Sequence, residues 1–139
     1  MLWKSPPSLE TLQARHKDTA VEQLGIVFTE IGDTSLSARM PVDRRTVQPH
    51  GILHGGASVL LAETLGSCAA SLCLDSEAQY CVGLDINANH VRAARTGFVT
   101  GTATPIHIGR TTHVWAIEIR DDEGKMVCVS RITMSILSR

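Results

Sequence analysis

The chain has 139 residues, of which 43% are hydrophobic, so it can form one packed domain, which we expect to span residues 1–139. Its 13 lysines and arginines nearly balance its 14 aspartates and glutamates, so no excess charge favours nucleic acid or an anionic membrane. The N-terminal segment lacks the apolar core of a signal peptide, and every apolar run is too short to span a bilayer. We therefore expect a soluble cytoplasmic protein that binds neither nucleic acid nor membrane.

The first predicted elements are a helix and a β-hairpin. Ser8, which follows Pro6 and Pro7, is a suitable cap for an amphipathic N-terminal helix whose apolar positions are Leu9, Leu12, Val21 and Leu24. The β-rich run from residue 26 to residue 31 ends at a Gly-Asp turn. Alternating apolar and polar residues follow from residue 35 to residue 42, which predicts a hairpin with one buried face.

The segment from Gly51 to Leu74 is the one long helix candidate, and it is apolar around its whole circumference. Such a helix has to be enclosed by other elements. Residues 80–90 alternate at period two, with Tyr80, Val82, Leu84, Ile86, Ala88 and His90 assigned to one face.

The rest of the chain predicts further strands. They cover residues 98–108, in which Pro105 marks a bulge or an edge, residues 115–120, and residues 126–136 after a turn at residues 121–124. The pattern predicts an antiparallel α+β fold, with five or six strands in a curved sheet wrapped around the helix, which is the hotdog architecture.

The cysteines and histidines do not predict a metal site. Cys68, Cys73, Cys81 and Cys128 contain no CxxC pair, and we expect reduced thiols. His50 and His54 lie close in sequence, but no acidic residue or cysteine near them completes a set of ligands.

Glu63 is the most informative residue of the predicted helix. Apart from histidine, it is the only acidic or basic residue between Gly51 and Leu74. A carboxylate in an apolar site without a partner is costly, or becomes neutral through a raised pKa, and either state is useful for catalysis. The alternatives are that Glu63 bonds a backbone group, pairs with an arginine from a distant strand, or lies at a wet subunit surface.

The neighbours of Glu63 suggest a site for a polarised carbonyl group. Ser67 lies one helical turn further on the same face. At the helix start, His54 precedes two glycines whose backbone N–H groups can approach a ligand closely, and Gln48 lies six residues earlier. His54 and Glu63 are nine residues apart, roughly 13 Å of helical rise, so we expect a two-fold dimer to complete the site.

These motifs resemble a known family. The Gln48-Pro lead, His54-Gly-Gly, Ala62-Glu63-Thr-Leu-Gly-Ser67 and Asn87-Ala-Asn-His-Val-Arg92 together resemble the hotdog-fold acyl-CoA thioesterases of the 4-hydroxybenzoyl-CoA and 1,4-dihydroxy-2-naphthoyl-CoA type, including the proofreading thioesterase of enterobactin synthesis. The resemblance covers nearly the whole chain. His50 departs from the pattern, because an aromatic phenylalanine is expected there.

The resemblance implies roles for individual residues. Glu63 is the nucleophile or general base, the Gly55 N–H donates to the thioester oxygen, Gln48 and His54 support it, and Ser67 positions the water. Coenzyme A, which is part of the substrate and not a cofactor, is expected to contact Gly83, His90, Val91, Arg92, His107, Ile108, Gly109 and Arg110. The family also implies a homotetramer built as a dimer of dimers, with sites at subunit interfaces.

Three functions are consistent with these residues. The first is hydrolysis of an acyl-CoA thioester, aromatic or medium-chain, or of an acyl group on a carrier protein. The second is a hotdog dehydratase or isomerase, which also uses a carboxylate and a histidine; the position of Glu63 and the His-Gly-Gly order favour the thioesterase. The third is a protein that binds acyl-CoA without turnover.

Overall fold

The computed structural model describes residues 2–4 and 7–139. The N-terminal region contains two short helices, α1 (Leu9–Arg15) and α2 (Ala20–Gln23), where the sequence predicted one. The Ser8 side chain caps α1 by accepting a hydrogen bond from the Thr11 N–H, as predicted, whereas Pro6 lies outside the described residues. The single-helix prediction is wrong because the chain turns after α1, with Asp18 at a φ of 60°.

The remaining elements follow the predicted order. Strands β1 (Val27–Ile31) and β2 (Leu36–Pro41) form the expected hairpin, the long helix α3 (Gly55–Leu72) follows, and four strands complete the chain: β3 (Gln79–His90), β4 (Phe98–Ile108), β5 (Thr112–Asp121) and β6 (Met126–Ser138). All neighbouring strands are antiparallel, in the order β1-β2-β4-β5-β6-β3. The irregularity predicted at Pro105 is present as a register shift between Pro105 and His107.

Helix α3 is shorter than the predicted segment at both ends. It begins at Gly55 because His54 has an extended backbone and its Nδ1 accepts a hydrogen bond from the Gly56 N–H at 2.8 Å. Gly51 has a φ of 78°, which is incompatible with a helix. The C-terminal cap is Cys73.

The predicted alternation along β3 is wrong in its first half. A register shift between Gly83 and Asp85 inserts Leu84 as an extra residue opposite β6, and Leu84 is 65% exposed. Because one inserted residue reverses the alternation, Tyr80 and Val82 point away from the face that Ile86 shares with α3.

One face of α3 packs on the sheet, in contact with strands β2 to β6. Leu61, Leu65 and Ala69 are fully buried there, and the approach is close because Gly66 lies directly over Ile132. The opposite face is not enclosed by the described residues: Glu63 is exposed and Leu60 is half-buried. The expected enclosure of α3 is therefore only half met within one chain. Among the described residues, no helix is long and apolar enough to cross a membrane.

The close contact at Gly66 predicts a stability effect. The Cβ of a Gly66→Ala variant overlaps Ile132 Cγ2, so either the helix or the isoleucine has to move. We expect the free energy of unfolding, measured in urea, to fall by about 1–3 kcal/mol, as for other overpacked cores. Ser71→Ala is the matched control because Ser71 is exposed on the same helix, and it should change the value by less than about 0.5 kcal/mol. Equal stability of the two variants would contradict this packing.

Candidate active site

The loop before α3 folds back on itself and brings Gln48 to the helix start. The Gln48 N–H donates to the Ile52 carbonyl at 2.9 Å, and the His54 N–H donates to the Thr46 carbonyl at 2.8 Å. The side-chain oxygen of Gln48 accepts a hydrogen bond from the His50 N–H. The amide nitrogen of Gln48 is therefore the group that can donate to a ligand.

An ion pair stabilises the turn that leads into this loop. Arg45 Nη2 lies 2.7 Å from Asp43 Oδ2, and this hydrogen bond lowers the pKa of the Asp43 carboxyl to about 2. The Thr46 hydroxyl is buried beneath the pair and donates to the Pro41 carbonyl at 2.7 Å. These contacts fix the chain between β2 and Gln48.

The first turn of α3 leaves one backbone donor free. The Gly56 N–H is bonded to His54 Nδ1, and the N–H groups of Ala57 and Ser58 are bonded to the His54 carbonyl. Within residues 2–4 and 7–139, no hydrogen bond involves the Gly55 N–H. The first turn contains no acidic residue, so the positive end of the helix dipole and this donor are available to an oxygen with partial negative charge.

A pocket of about 350 Å³ opens at this helix start and is called the helix-start pocket below. Of the residues predicted for the site, Gln48, Gly55, His90, Val91 and Arg92 line it. His90 is closest to the helix: a Cβ on Gly55 would lie 2.7 Å from His90 Nε2. Sequence reasoning missed Ser58, Ile52, Leu53, Ala93 and Val127, which complete the lining.

Glu63 does not line the helix-start pocket. It lies two turns further along α3, where its Oε1 is 3.0 Å from the position of a Cβ built on Gly83 of β3. The side chain is exposed, so residues 2–4 and 7–139 of one chain do not form the expected apolar surroundings of the carboxylate. No cation of the described part of the chain forms a salt bridge with it.

Ser67 lies on a different groove, of about 280 Å³, between α1 and α3. Its hydroxyl is 3.8 Å from Met134 Sδ. Cys68 lines the same groove, and burial raises the pKa of its thiol to about 12. All four cysteines are free, as predicted. Burial also raises the pKa of the Cys73 thiol to about 11, so the Cys68 and Cys73 thiols stay protonated at neutral pH.

The residues expected to contact coenzyme A form two groups at opposite ends of the sheet. The first group, His107, Ile108, Gly109 and Arg110, lies at the β4–β5 turn. Gly83 belongs to this group because three pairings connect it to the turn: Ile108 pairs with His113, His113 pairs with Met134, and Met134 pairs with Gly83. His90 pairs with Cys128 at the other end of β3. Seven residues separate Gly83 from His90, roughly 20 Å along a strand.

Comparisons with known proteins identify the family. A family model described as the thioesterase superfamily matches residues 50–128, more than half of the chain. The chain belongs to the thioesterase superfamily. The chain is 53% identical to the 1,4-dihydroxy-2-naphthoyl-CoA hydrolase of Escherichia coli, over 99% of this chain and 100% of that protein. It is 50% identical to the proofreading thioesterase EntH of Cronobacter sakazakii, over 99% of both chains.

The structural comparison agrees. The crystal structure of a mutant thioesterase from Pseudomonas aeruginosa superposes with a TM-score of 0.99, at 52% identity and with 100% of both chains covered. The predicted hotdog fold and the predicted thioesterase family are therefore confirmed. As a thioesterase, the protein hydrolyses thioesters.

The contact between Gly55 and His90 can be tested in this thioesterase. A Gly55→Ala variant places its Cβ 2.7 Å from His90 Nε2, so the imidazole has to leave the helix start. We expect thioester hydrolysis to fall about tenfold or more because groups at the pocket are misplaced. The free energy of unfolding should change by less than about 1 kcal/mol, since the displaced atom ends an exposed side chain.

A double variant isolates the cause. If the clash with the imidazole reduces the rate, Gly55→Ala combined with His90→Ala should be no less active than His90→Ala alone. Losses that multiply in the double variant would show that Gly55 acts independently of His90.

Proposed function

We propose that this thioesterase hydrolyses acyl-CoA thioesters to the free acid and coenzyme A, with aromatic acyl groups of the benzoyl or hydroxynaphthoyl type as preferred substrates and medium-chain acyl groups as a second class. The observation that carries the proposal is the free Gly55 N–H at the start of the helix that also bears the unpaired Glu63. The naphthoyl-CoA activity named for the Escherichia coli relative, at 53% identity, supports the aromatic class.

The chemistry follows from these groups. The thioester oxygen accepts a hydrogen bond from the Gly55 N–H, where the helix dipole stabilises the negative charge that develops on it. Glu63 either attacks the carbonyl carbon directly or removes a proton from an attacking water, and the bond to sulfur then breaks with release of the coenzyme A thiolate. The Gln48 amide and His54 assist Gly55 at the thioester carbonyl group, and Ser67 positions the water.

The proposal includes a dimer because, within one chain, Glu63 lies away from the helix-start pocket and its free Gly55 N–H. Among the described residues, β3 is the last strand of the sheet, pairs only with β6, and exposes most of its residues. An unpaired edge of this kind is suited to pairing with a second strand. A two-fold axis at the middle of β3, between Ile86 and Asn87, sets Gly83 of one protomer opposite the partner's His90.

This register brings together the residues that a single chain separates: Glu63 with the helix-start pocket, and the two groups of expected coenzyme A contacts. Glu63, which lies over Gly83, then faces the helix-start pocket of its partner. The β4–β5 turn, with His107 and Arg110, also approaches the partner's Arg92, so that imidazole and guanidinium groups from two chains surround the coenzyme A phosphates. We further propose that two such dimers associate as a tetramer, and that the protein acts in the cytoplasm.

The second candidate function is proofreading hydrolysis of acyl groups misloaded on a carrier protein. The name of the Cronobacter sakazakii relative, at 50% identity, favours it. The phosphopantetheine arm of a carrier protein presents the same thioester as coenzyme A but lacks the nucleotide. Substitution of Arg110 should therefore weaken hydrolysis of coenzyme A esters more than that of carrier-protein esters.

The main test is the release of free thiol from benzoyl-CoA and from a medium-chain acyl-CoA by the native protein and by Glu63→Gln. We expect the rate to fall by a factor of about 1000 or more, since the amide can neither attack nor accept a proton. Glu77→Gln is the matched control, because Glu77 is exposed and lies outside the site, and it should retain full activity.

Each other outcome has a definite meaning. An active Glu63→Gln variant would contradict the assignment of the carboxylate. A native protein without turnover on either ester would contradict the acyl-CoA proposal, and carrier-protein thioesters would then be assayed. Tight binding of both esters without hydrolysis, unchanged by the substitution, would indicate a binding protein.

A further inference from the structure

Ser58 is a buried polar residue that none of the roles above uses. It is 1% exposed, it lies in the first turns of α3, and it lines the helix-start pocket. Its backbone N–H is bonded to the His54 carbonyl at 3.2 Å, whereas its hydroxyl takes part in no hydrogen bond formed within the described residues. Among the described residues, the fully enclosed side-chain atoms without a partner are His113 Nδ1 and Trp115 Nε1, so the Ser58 oxygen keeps contact with the pocket, where a ligand can supply its partner.

Unlike the Ser58 hydroxyl, the other buried hydroxyl groups are hydrogen-bonded within the protein. Ser37 Oγ lies 2.8 Å from Thr102 Oγ1, and the hydroxyls of Thr46 and Ser130 donate to backbone carbonyls. On α3 itself, Thr64 Oγ1 donates to the carbonyl four residues earlier at 2.7 Å, the ordinary way in which a helical hydroxyl is satisfied. Ser58 has the equivalent carbonyl, that of His54, four residues earlier and forms no such bond.

Ser58 lies near the free backbone donor, the Gly55 N–H. Ser58 follows Gly55 by three residues, so both lie on the same face of the helix. Side chains in a helix tilt toward its N-terminus, which carries the Ser58 hydroxyl toward the first turn. Both residues line the helix-start pocket, so both donors are available to the same bound group.

We propose that the Ser58 hydroxyl donates a second hydrogen bond to the thioester carbonyl oxygen, beside the Gly55 N–H. This inference rests on the proposed function and extends its oxyanion site. Negative charge builds on that oxygen when the carbonyl carbon is attacked, and it leaves when the carbon–sulfur bond breaks. Ser58 keeps its proton throughout: it stabilises the tetrahedral intermediate and forms no covalent bond.

The test is Ser58→Ala, assayed for benzoyl-CoA hydrolysis and for thermal stability. We expect kcat to fall about 10- to 100-fold while KM changes by less than about threefold, because the hydrogen bond strengthens as charge develops. The Tm should stay unchanged or rise, since the substitution removes no hydrogen bond formed within the described residues and puts alanine in a helix. Ser58→Cys, which retains a weak donor of similar shape, should have an intermediate kcat.

Ser37→Ala is the matched control, because it also deletes a buried hydroxyl, but one that is hydrogen-bonded on a strand away from the pocket. It should lower the Tm and leave kcat unchanged. A Ser58→Ala variant with native kcat, in a protein whose native form hydrolyses benzoyl-CoA, would overturn this inference and leave the proposed function standing. A loss of kcat that accompanies a lowered Tm would also overturn it, in favour of a structural role. Absence of hydrolysis by the native protein would overturn both.

Discussion

The hydrogen bond from the Gly56 N–H to His54 Nδ1 determines where the central helix begins, and every group of the proposed site depends on that position. Because the cap uses the Gly56 donor, the Gly55 donor remains free at the positive end of an 18-residue helix. The same helix sets Ser58 one turn and Glu63 two turns from Gly55. A helix that began at Gly51, as its apolar pattern predicts, would bury that donor in a regular hydrogen bond.

The second constraint is the contact between the helix and the sheet. Gly66 lets α3 lie directly on Ile132, and Gly83 leaves room for the Glu63 carboxylate against β3. The carboxylate is thus held over the edge strand, away from the helix-start pocket of its own chain. A single chain therefore keeps the two parts of the proposed site apart, and pairing of the β3 edges is the arrangement that we propose to join them.

Much of the fold could be predicted from the sequence because its strands have one buried face. Residues 98–108 form a strand with the predicted bounds, and Trp115, Ile117 and Ile119 are buried as their alternation indicated. The bulge at Leu84 could not be predicted, because an inserted residue changes the register without leaving a signal in the composition. The break between α1 and α2 was missed because apolar spacing continues across it.

The part of the candidate site that could be predicted is the part whose residues lie close together in the sequence. Gln48 and Gly55 lie within eight residues of each other, and the loop brings them to one pocket. The distance between Glu63 and that pocket could be predicted from helical rise, which is why a dimer was expected. The Ser58 hydroxyl could not be singled out, since its lack of a partner is visible only once the packing around it is known.

The most direct test of the shared site is complementation between two inactive subunits. Glu63→Gln lacks the carboxylate, and a subunit with Gln48→Ala and Gly55→Ala lacks a working helix start. If each site uses the helix start of one protomer and Glu63 of its partner, a mixed dimer contains one intact site. Random reassociation of equal amounts should then restore about a quarter of native activity. Activity no greater than the average of the two parent variants would show that each chain forms its site alone.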